Sequence, residues 1–133
     1  MSTRCNIIVQ DKYNSIQLYR HCDGYPEGKH GVIEDLKKAI PYAWKPPRME
    51  ADDFAAAIIR AWKEKGGGNI YIDGAANIPN SLHGDIDYYY IITPDYEVGN
   101  WKVECFSTNT EKILWSGHIG DEIPKEVRYV EED

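Results

Sequence analysis

Within ten residues, Tyr19-Arg20-His21-Cys22-Asp23-Gly24-Tyr25-Pro26-Glu27-Gly28, the chain places one guanidinium, one imidazole, one thiol, two carboxylates and two phenols. These groups can donate to, accept from and stack against a small polar ligand. A connection that only turned the chain would need few of them. Gly24, Gly28 and Pro26 shape the backbone: glycine permits positive φ, and proline holds φ at about −65° and removes a donor. If the residues before the loop form an alternating strand, Ile16, Leu18 and Arg20 share one face and Gln17, Tyr19 and His21 the other. Arg20 then ends an apolar row at the rim of a sheet, within reach of a ligand. Gly28 opens onto a helix whose first N–H groups lack intrahelical acceptors, which suits phosphate or carboxylate, and Lys29 adds charge there. The competing reading is local: Asp23 caps the turn, Arg20 pairs with Glu27 or Asp23, and nothing binds. The glycine-lysine-serine spacing of a P-loop is missing.

A second cluster, Ser81-Leu82-His83-Gly84-Asp85-Ile86-Asp87-Tyr88-Tyr89-Tyr90, leads into a strand-like run. Ile86, Tyr88, Tyr90 and Ile92 fall on one face, and three successive tyrosines put phenols on both faces. A ring there can stack on a base or on a second subunit. The bland alternative is a well-filled sheet with Asp85 as a turn residue. His21, Cys22, Asp23, His30, His83, Asp85 and His118 are metal ligands by type, but no HExxH, CxxC or EF-hand spacing joins them, and no metal is expected. Cys22 or Ser81 beside a histidine would suit nucleophilic catalysis. Adjacent His21 and Cys22 face opposite ways in an extended chain, however, and neither an enzyme nor a cofactor is expected.

The elements that position these groups follow from hydrophobic spacing. Cys5–Gln10 and Ile16–Arg20 are short strands separated by turn-forming Asp11, Asn14 and Ser15, which predicts a hairpin. Val32, Ile33, Leu36 and Ile40 recur at helical spacing, so a helix is expected over His30–Ile40, stopped by Pro41. A second helix begins near Ala51, with Asp52 and Asp53 favourably placed at its N-terminus, Phe54, Ile58 and Trp62 as its buried stripe, and Gly66-Gly67-Gly68 as its stop. Asn69–Asp73 reads as a short strand, followed by an irregular stretch through Asn77, Pro79 and Asn80. Asp85–Thr93, Trp101–Ser107 and Lys112–Ile119 read as an antiparallel meander, turned at Pro94-Asp95, Val98–Asn100 and Thr108–Thr110. The expectation is a single α+β domain over 1–133: a hairpin, two helices, then the meander, with 121–133 a charged tail prone to fraying.

A chain of 133 residues with 42% hydrophobic residues can bury a core of its own. Ten tyrosines and four tryptophans stand against two phenylalanines, a balance that suits surfaces half apolar and half wet. The net charge of −7 argues against polymeric nucleic acid and anionic membranes, which call for a basic stripe. A few cations can still build a local pocket for a small anion. Three widely spaced cysteines with no CxxC pair, and no apparent signal peptide, point to free thiols in a reducing cytoplasm.

Met1-Ser2-Thr3-Arg4-Cys5-Asn6-Ile7, the Tyr19–Gly28 loop and Leu82-His83-Gly84-Asp85-Ile86-Asp87-Tyr88 together resemble a family of small phage and prophage proteins. In size, element order and setting the chain is similar to the anti-Thoeris sponge proteins, which sequester cyclic ADP-ribose signals and in some cases cyclic oligonucleotides. That resemblance implies an anti-defence protein that holds a small anionic nucleotide-derived signal in the cytoplasm of an infected bacterium without cleaving it. The implied contacts are Arg20, Lys29 and the Gly28 helix start on phosphate, Arg4 as a second cation, and Tyr88 or Tyr90 stacking a base. His21, Asp23, Gly24, Tyr25, His83 and Asp85 complete the expected site, on the assumption that the two clusters meet in one pocket. A homo-oligomer is also expected, with Trp44, Trp101 and Trp115 at subunit contacts. The rival from another class is an acidic decoy that occupies a host protein.

Overall fold

The structure, a computed structural model, describes residues 3–64, 69–73 and 82–122. The expected stop at Gly66–Gly68, the stretch through Asn77, Pro79 and Asn80, Ser81, and the tail from residue 123 lie outside those residues. Strands β1 (Cys5–Gln10) and β2 (Ser15–Arg20) form the expected hairpin. Then follow α1 (Val32–Leu36), a 3-10 segment (Lys37–Tyr42), α2 (Ala51–Lys63), β3 (Ile70–Ile72), β4 (Tyr88–Asp95), β5 (Asn100–Ser107) and β6 (Ile113–His118). The six described strands join one sheet in the order β3-β2-β1-β4-β5-β6, which with the helices makes an α+β fold.

The meander is antiparallel, as its turn signals indicate, but it is not a separate sheet. β4 pairs parallel to β1, with Ile7 beside Tyr90 on one side and Leu18 on the other. The helical segments lead from β2 to its antiparallel neighbour β3 at the sheet edge, and the chain after β3 returns past β2 and β1 to enter β4 in the direction of β1. β1 is therefore central, and its residues are buried on both faces: Cys5, Ile7 and Val9 toward the helices, Asn6 and Ile8 on the reverse.

α2 carries the apolar stripe onto this sheet. Phe54, Ile58 and Trp62 are buried as expected, and the Phe54 ring stacks on Trp101 at 4.5 Å between centroids. Trp101 is thus a core residue rather than a subunit contact, because the period-2 alternation of β5 turns it toward α2. Glu50 offers the helix no side-chain cap. Asp11 supplies one from the hairpin turn: its Oδ2 accepts the Ala51 N–H at 2.8 Å, while Oδ1 accepts those of Tyr13 and Asn14. Burial works against the Asp11 charge, but these backbone donors outweigh it and lower the carboxyl below its ordinary range.

Several expected boundaries move, and β4 begins at Tyr88 rather than Asp85. The first helix is α-helical only from Val32 to Leu36, and a 3-10 segment then runs through Pro41 to Tyr42. Tighter winding takes Ile40 off the buried stripe, leaving it 38% exposed. β4 continues through Pro94 to Asp95, with its turn at Tyr96–Gly99, because beyond Ile92 only β5 pairs with it and a strand edge tolerates proline. No helix among the described residues is long and apolar enough to cross a membrane.

Candidate functional site

At the C-terminal end of β2 the two faces of the strand lead to two different places. Arg20 lies on the helix side, in a cross-sheet row with Ile70, Cys5 and Tyr88; Tyr19 lies on the reverse, in a row with Tyr71, Asn6 and Tyr89. The helix-side place is a cleft of about 840 Å³ between the loop after β2, the 3-10 segment and α2. That volume falls in the range of small-molecule sites.

Arg20 forms its floor, and the arginine is only 2% exposed. Its Nε donates to the Cys22 carbonyl at 2.9 Å, one terminal nitrogen to Asp35 Oδ2 at 2.7 Å, and the other to the His30 carbonyl at 2.9 Å. The guanidinium also lies 4.4 Å from the Trp62 ring centroid. Arg20 therefore pins both ends of the loop to the helices, and its pairing partner is Asp35 rather than Glu27 or Asp23. A free phosphate-binding role is not what this geometry provides.

The helix start is likewise occupied. The Val32 and Ile33 N–H groups donate to the carbonyls of Tyr25 and Pro26, so the loop itself satisfies the donors expected to meet an anion. Gly28 (φ +90°) and Lys29 are exposed on that loop and do not line the cleft. Gly24 serves close approach: a Cβ there would sit 2.8 Å from the Arg4 carbonyl carbon, and its N–H donates to the Thr3 carbonyl. The left-handed positions are Asp23 (φ 56°) and Gly28.

Tyr88 and Tyr90 are corrected from stacking platforms to core residues. Tyr90 is 0% exposed and its hydroxyl donates to the Gly24 carbonyl at 2.6 Å; Tyr88 is also buried. The parallel pairing with β1 puts both rings under the helices. Tyr25 packs against the same core and donates its hydroxyl to Asp23 Oδ1 at 3.0 Å.

The reverse face holds the other predicted group. Arg4 donates to Asp85 Oδ2 at 2.8 Å, His83 Nδ1 lies 2.6 Å from Asp85 Oδ1, and the His83 ring packs tilted by 33° against Tyr19, 4.3 Å between centroids. Tyr19 shares a 3.0 Å hydrogen bond with His21 Nδ1. Desolvation opposes the Asp85 charge, but the His83 hydrogen bond and the Arg4 cation hold its carboxyl below the ordinary range. The two clusters thus touch through the Tyr19–His83 rings and the Tyr90–Gly24 hydrogen bond, while Asp23 and Asp85 face different places. The single pocket expected to contain both Asp23 and Asp85 is replaced by two neighbouring sites, since Asp85 is held by Arg4 and His83 outside the cleft.

Of the predicted residues, Arg20, His21 and Asp23 line the cleft. Sequence reasoning missed Lys38, Tyr42, Glu64 and Asn69, and weighed Cys22 and His30 only as a nucleophile or as metal ligands. Tyr42 is 39% exposed; Arg60 lies 4.4 Å from its ring centroid and its hydroxyl donates to Glu64 at 2.9 Å. These residues come from segments brought together by the fold, and no local spacing announces them. Among the described residues no group of histidine, cysteine, aspartate and glutamate could hold a metal ion. Comparison with protein-family models, curated proteins and solved structures gives no match.

Proposed function

We propose that this chain is a phage-type anti-defence protein that binds a small nucleotide-derived immune signal in the cleft and holds it without turnover. The observation that carries the binding part is the cleft itself, where Tyr42 is held by Arg60 and Glu64 beside Lys38, His21 and His30. A supported aromatic ring suits a base, and the neighbouring donors suit phosphate or ribose oxygens. The immune-signal part is supported by the resemblance of the Tyr19–Gly28 and Leu82–Tyr88 segments to phage proteins. Trp44 is exposed with Arg48 stacked on it at 3.5 Å, which makes it the tryptophan available to a homo-oligomer contact.

The test is thermal unfolding against cyclic ADP-ribose isomers, cyclic oligonucleotides and linear nucleotides, followed by recovery of the ligand. A ligand at 100 times its Kd adds about 2.7 kcal/mol. Stabilisation by one class, lost in Tyr42→Ala and with the ligand recovered intact, supports sequestration. Stabilisation by none of them counts against it and favours the decoy reading, to which the net charge of −7 gives independent support.

A further inference from the structure

We infer, resting on the binding role proposed for the cleft, that Tyr19 is a positioning residue for His21. From the reverse face of the sheet it fixes the imidazole so that Nε2–H meets a phosphate oxygen of the ligand. His21 lines the cleft and is exposed. Its Nδ1 lies 3.0 Å from the Tyr19 hydroxyl, and its backbone N–H donates to the Asn69 carbonyl at 3.0 Å. Tyr19 is only 3% exposed, and its hydroxyl has no other hydrogen-bond partner among the described residues. A buried hydroxyl hydrogen needs an acceptor, and among those residues the Nδ1 lone pair supplies it. The neutral imidazole then carries its proton on Nε2, the nitrogen turned away from Tyr19. That N–H is a donor on the ligand side, and an anionic phosphate oxygen is the stronger kind of acceptor for it.

The rest of the reverse-face group makes Tyr19 a firm support. Its ring packs against Tyr71 at 4.9 Å and against His83 at 4.3 Å between centroids. His83 is itself held twice: Asp85 Oδ1 lies 2.6 Å from its Nδ1, and the Asn6 side-chain oxygen accepts its backbone N–H at 2.7 Å. Arg4 holds the other Asp85 oxygen at 2.8 Å. Burial and the Asp85 charge raise the Tyr19 phenol above its ordinary value, so it remains a donor at neutral pH. Arg4, His83 and Asp85 therefore act on the cleft through Tyr19, although their own charged groups lie outside it. A ring locked by packing and by a second layer of hydrogen bonds can hold its neighbour in one orientation.

Long-range proton–nitrogen NMR of the full chain, at about pH 8 where an ordinary imidazole is neutral, reads the His21 tautomer. The His21 signals are those lost in His21→Gln. The parent should show one species with its proton on Nε2, and Tyr19→Phe should give the mixture of a free imidazole. Calorimetric titration with cyclic ADP-ribose and cyclic di-AMP, with adenosine as the phosphate-free control, reads the contact. Tyr19→Phe should weaken the cyclic probes about three- to tenfold and adenosine by less. His21→Gln, whose amide stands near the place of Nε2, should keep most of the affinity; His21→Asn, whose amide stands near that of Nδ1, should not. A proton on Nδ1 in the parent, a tautomer unmoved by Tyr19→Phe, or equal losses for adenosine and the cyclic probes overturns this inference while leaving the binding role intact. So does an affinity for the cyclic probes that Tyr19→Phe or His21→Asn leaves unchanged. Binding of neither cyclic probe by the parent overturns both.

Discussion

The Arg20 guanidinium lies 4.4 Å from the centre of the Trp62 ring while donating to Asp35 at 2.7 Å, so one side chain joins β2, the following loop, α1 and α2. Arg20→Ala is expected to cost about 3 kcal/mol, because it removes a buried cation and three of its hydrogen bonds together. Arg20→Lys should restore little, since an ammonium cannot span the Cys22 and His30 carbonyls and Asp35 as the planar fork does. Urea unfolding of both variants checks this; a loss below 1 kcal/mol in Arg20→Ala would show that the loop is held by other contacts.

The Gly24 carbonyl accepts the buried Tyr90 hydroxyl, and Gly24 itself packs on the Thr3–Arg4 backbone. Tyr90→Phe should cost about 1–2 kcal/mol, the effect of leaving a buried carbonyl unpaired. Gly24→Ala should cost more, because its Cβ would press on backbone rather than on a movable side chain. The order of the two midpoints in the same unfolding experiment is the readout.

Thiol chemistry distinguishes the cysteines. Burial pushes the Cys5 thiol up to about 12, against the opposing charge of Arg20, and Cys105 is also fully buried. Cys22 is partly exposed and lines the cleft. At pH 8 an aromatic disulfide reagent should modify Cys22 in the native protein and reach Cys5 and Cys105 only on unfolding. A ligand seated in the cleft should slow the Cys22 reaction, whereas equal rates with and without ligand would place that ligand elsewhere.

Asp95 ties the end of β4 to β6: His118 Nε2 lies 2.9 Å from its Oδ2, and that hydrogen bond, against some desolvation, lowers the Asp95 carboxyl. A carboxyl lowered in the folded state stabilises fully above its unfolded pKa of about 3.9 and loses that contribution as pH falls through the folded value. Asp85 and Asp11 shift in the same direction, so they add to stability in the same acid window. His118→Ala should therefore be less stable than the parent at pH 6, with the difference shrinking below about pH 4. Unfolding midpoints at pH 6 and pH 3 measure it; an unchanged difference would mean that the pair contributes through packing alone.

The sequence alone determined the local elements. The period-2 run Ile16–Arg20 correctly assigns Arg20 and Tyr19 to opposite faces, and the spacing of Phe54, Ile58 and Trp62 identifies the buried stripe of α2, because side-chain direction within an element depends only on near neighbours. Arg20, His21 and Asp23 were legible as cleft residues because their chemical density stands out along the chain. The parallel pairing of β1 with β4, which turns Tyr88 and Tyr90 into core, and the docking of Asp35 and Trp62 on Arg20, which makes it a fastener of the loop, were decided only by the tertiary structure. So was the meeting of Lys38, Tyr42 and Glu64 with the first loop. Such contacts depend on which distant apolar faces bury each other, and that choice leaves no periodic mark in the residues that end up facing the cleft.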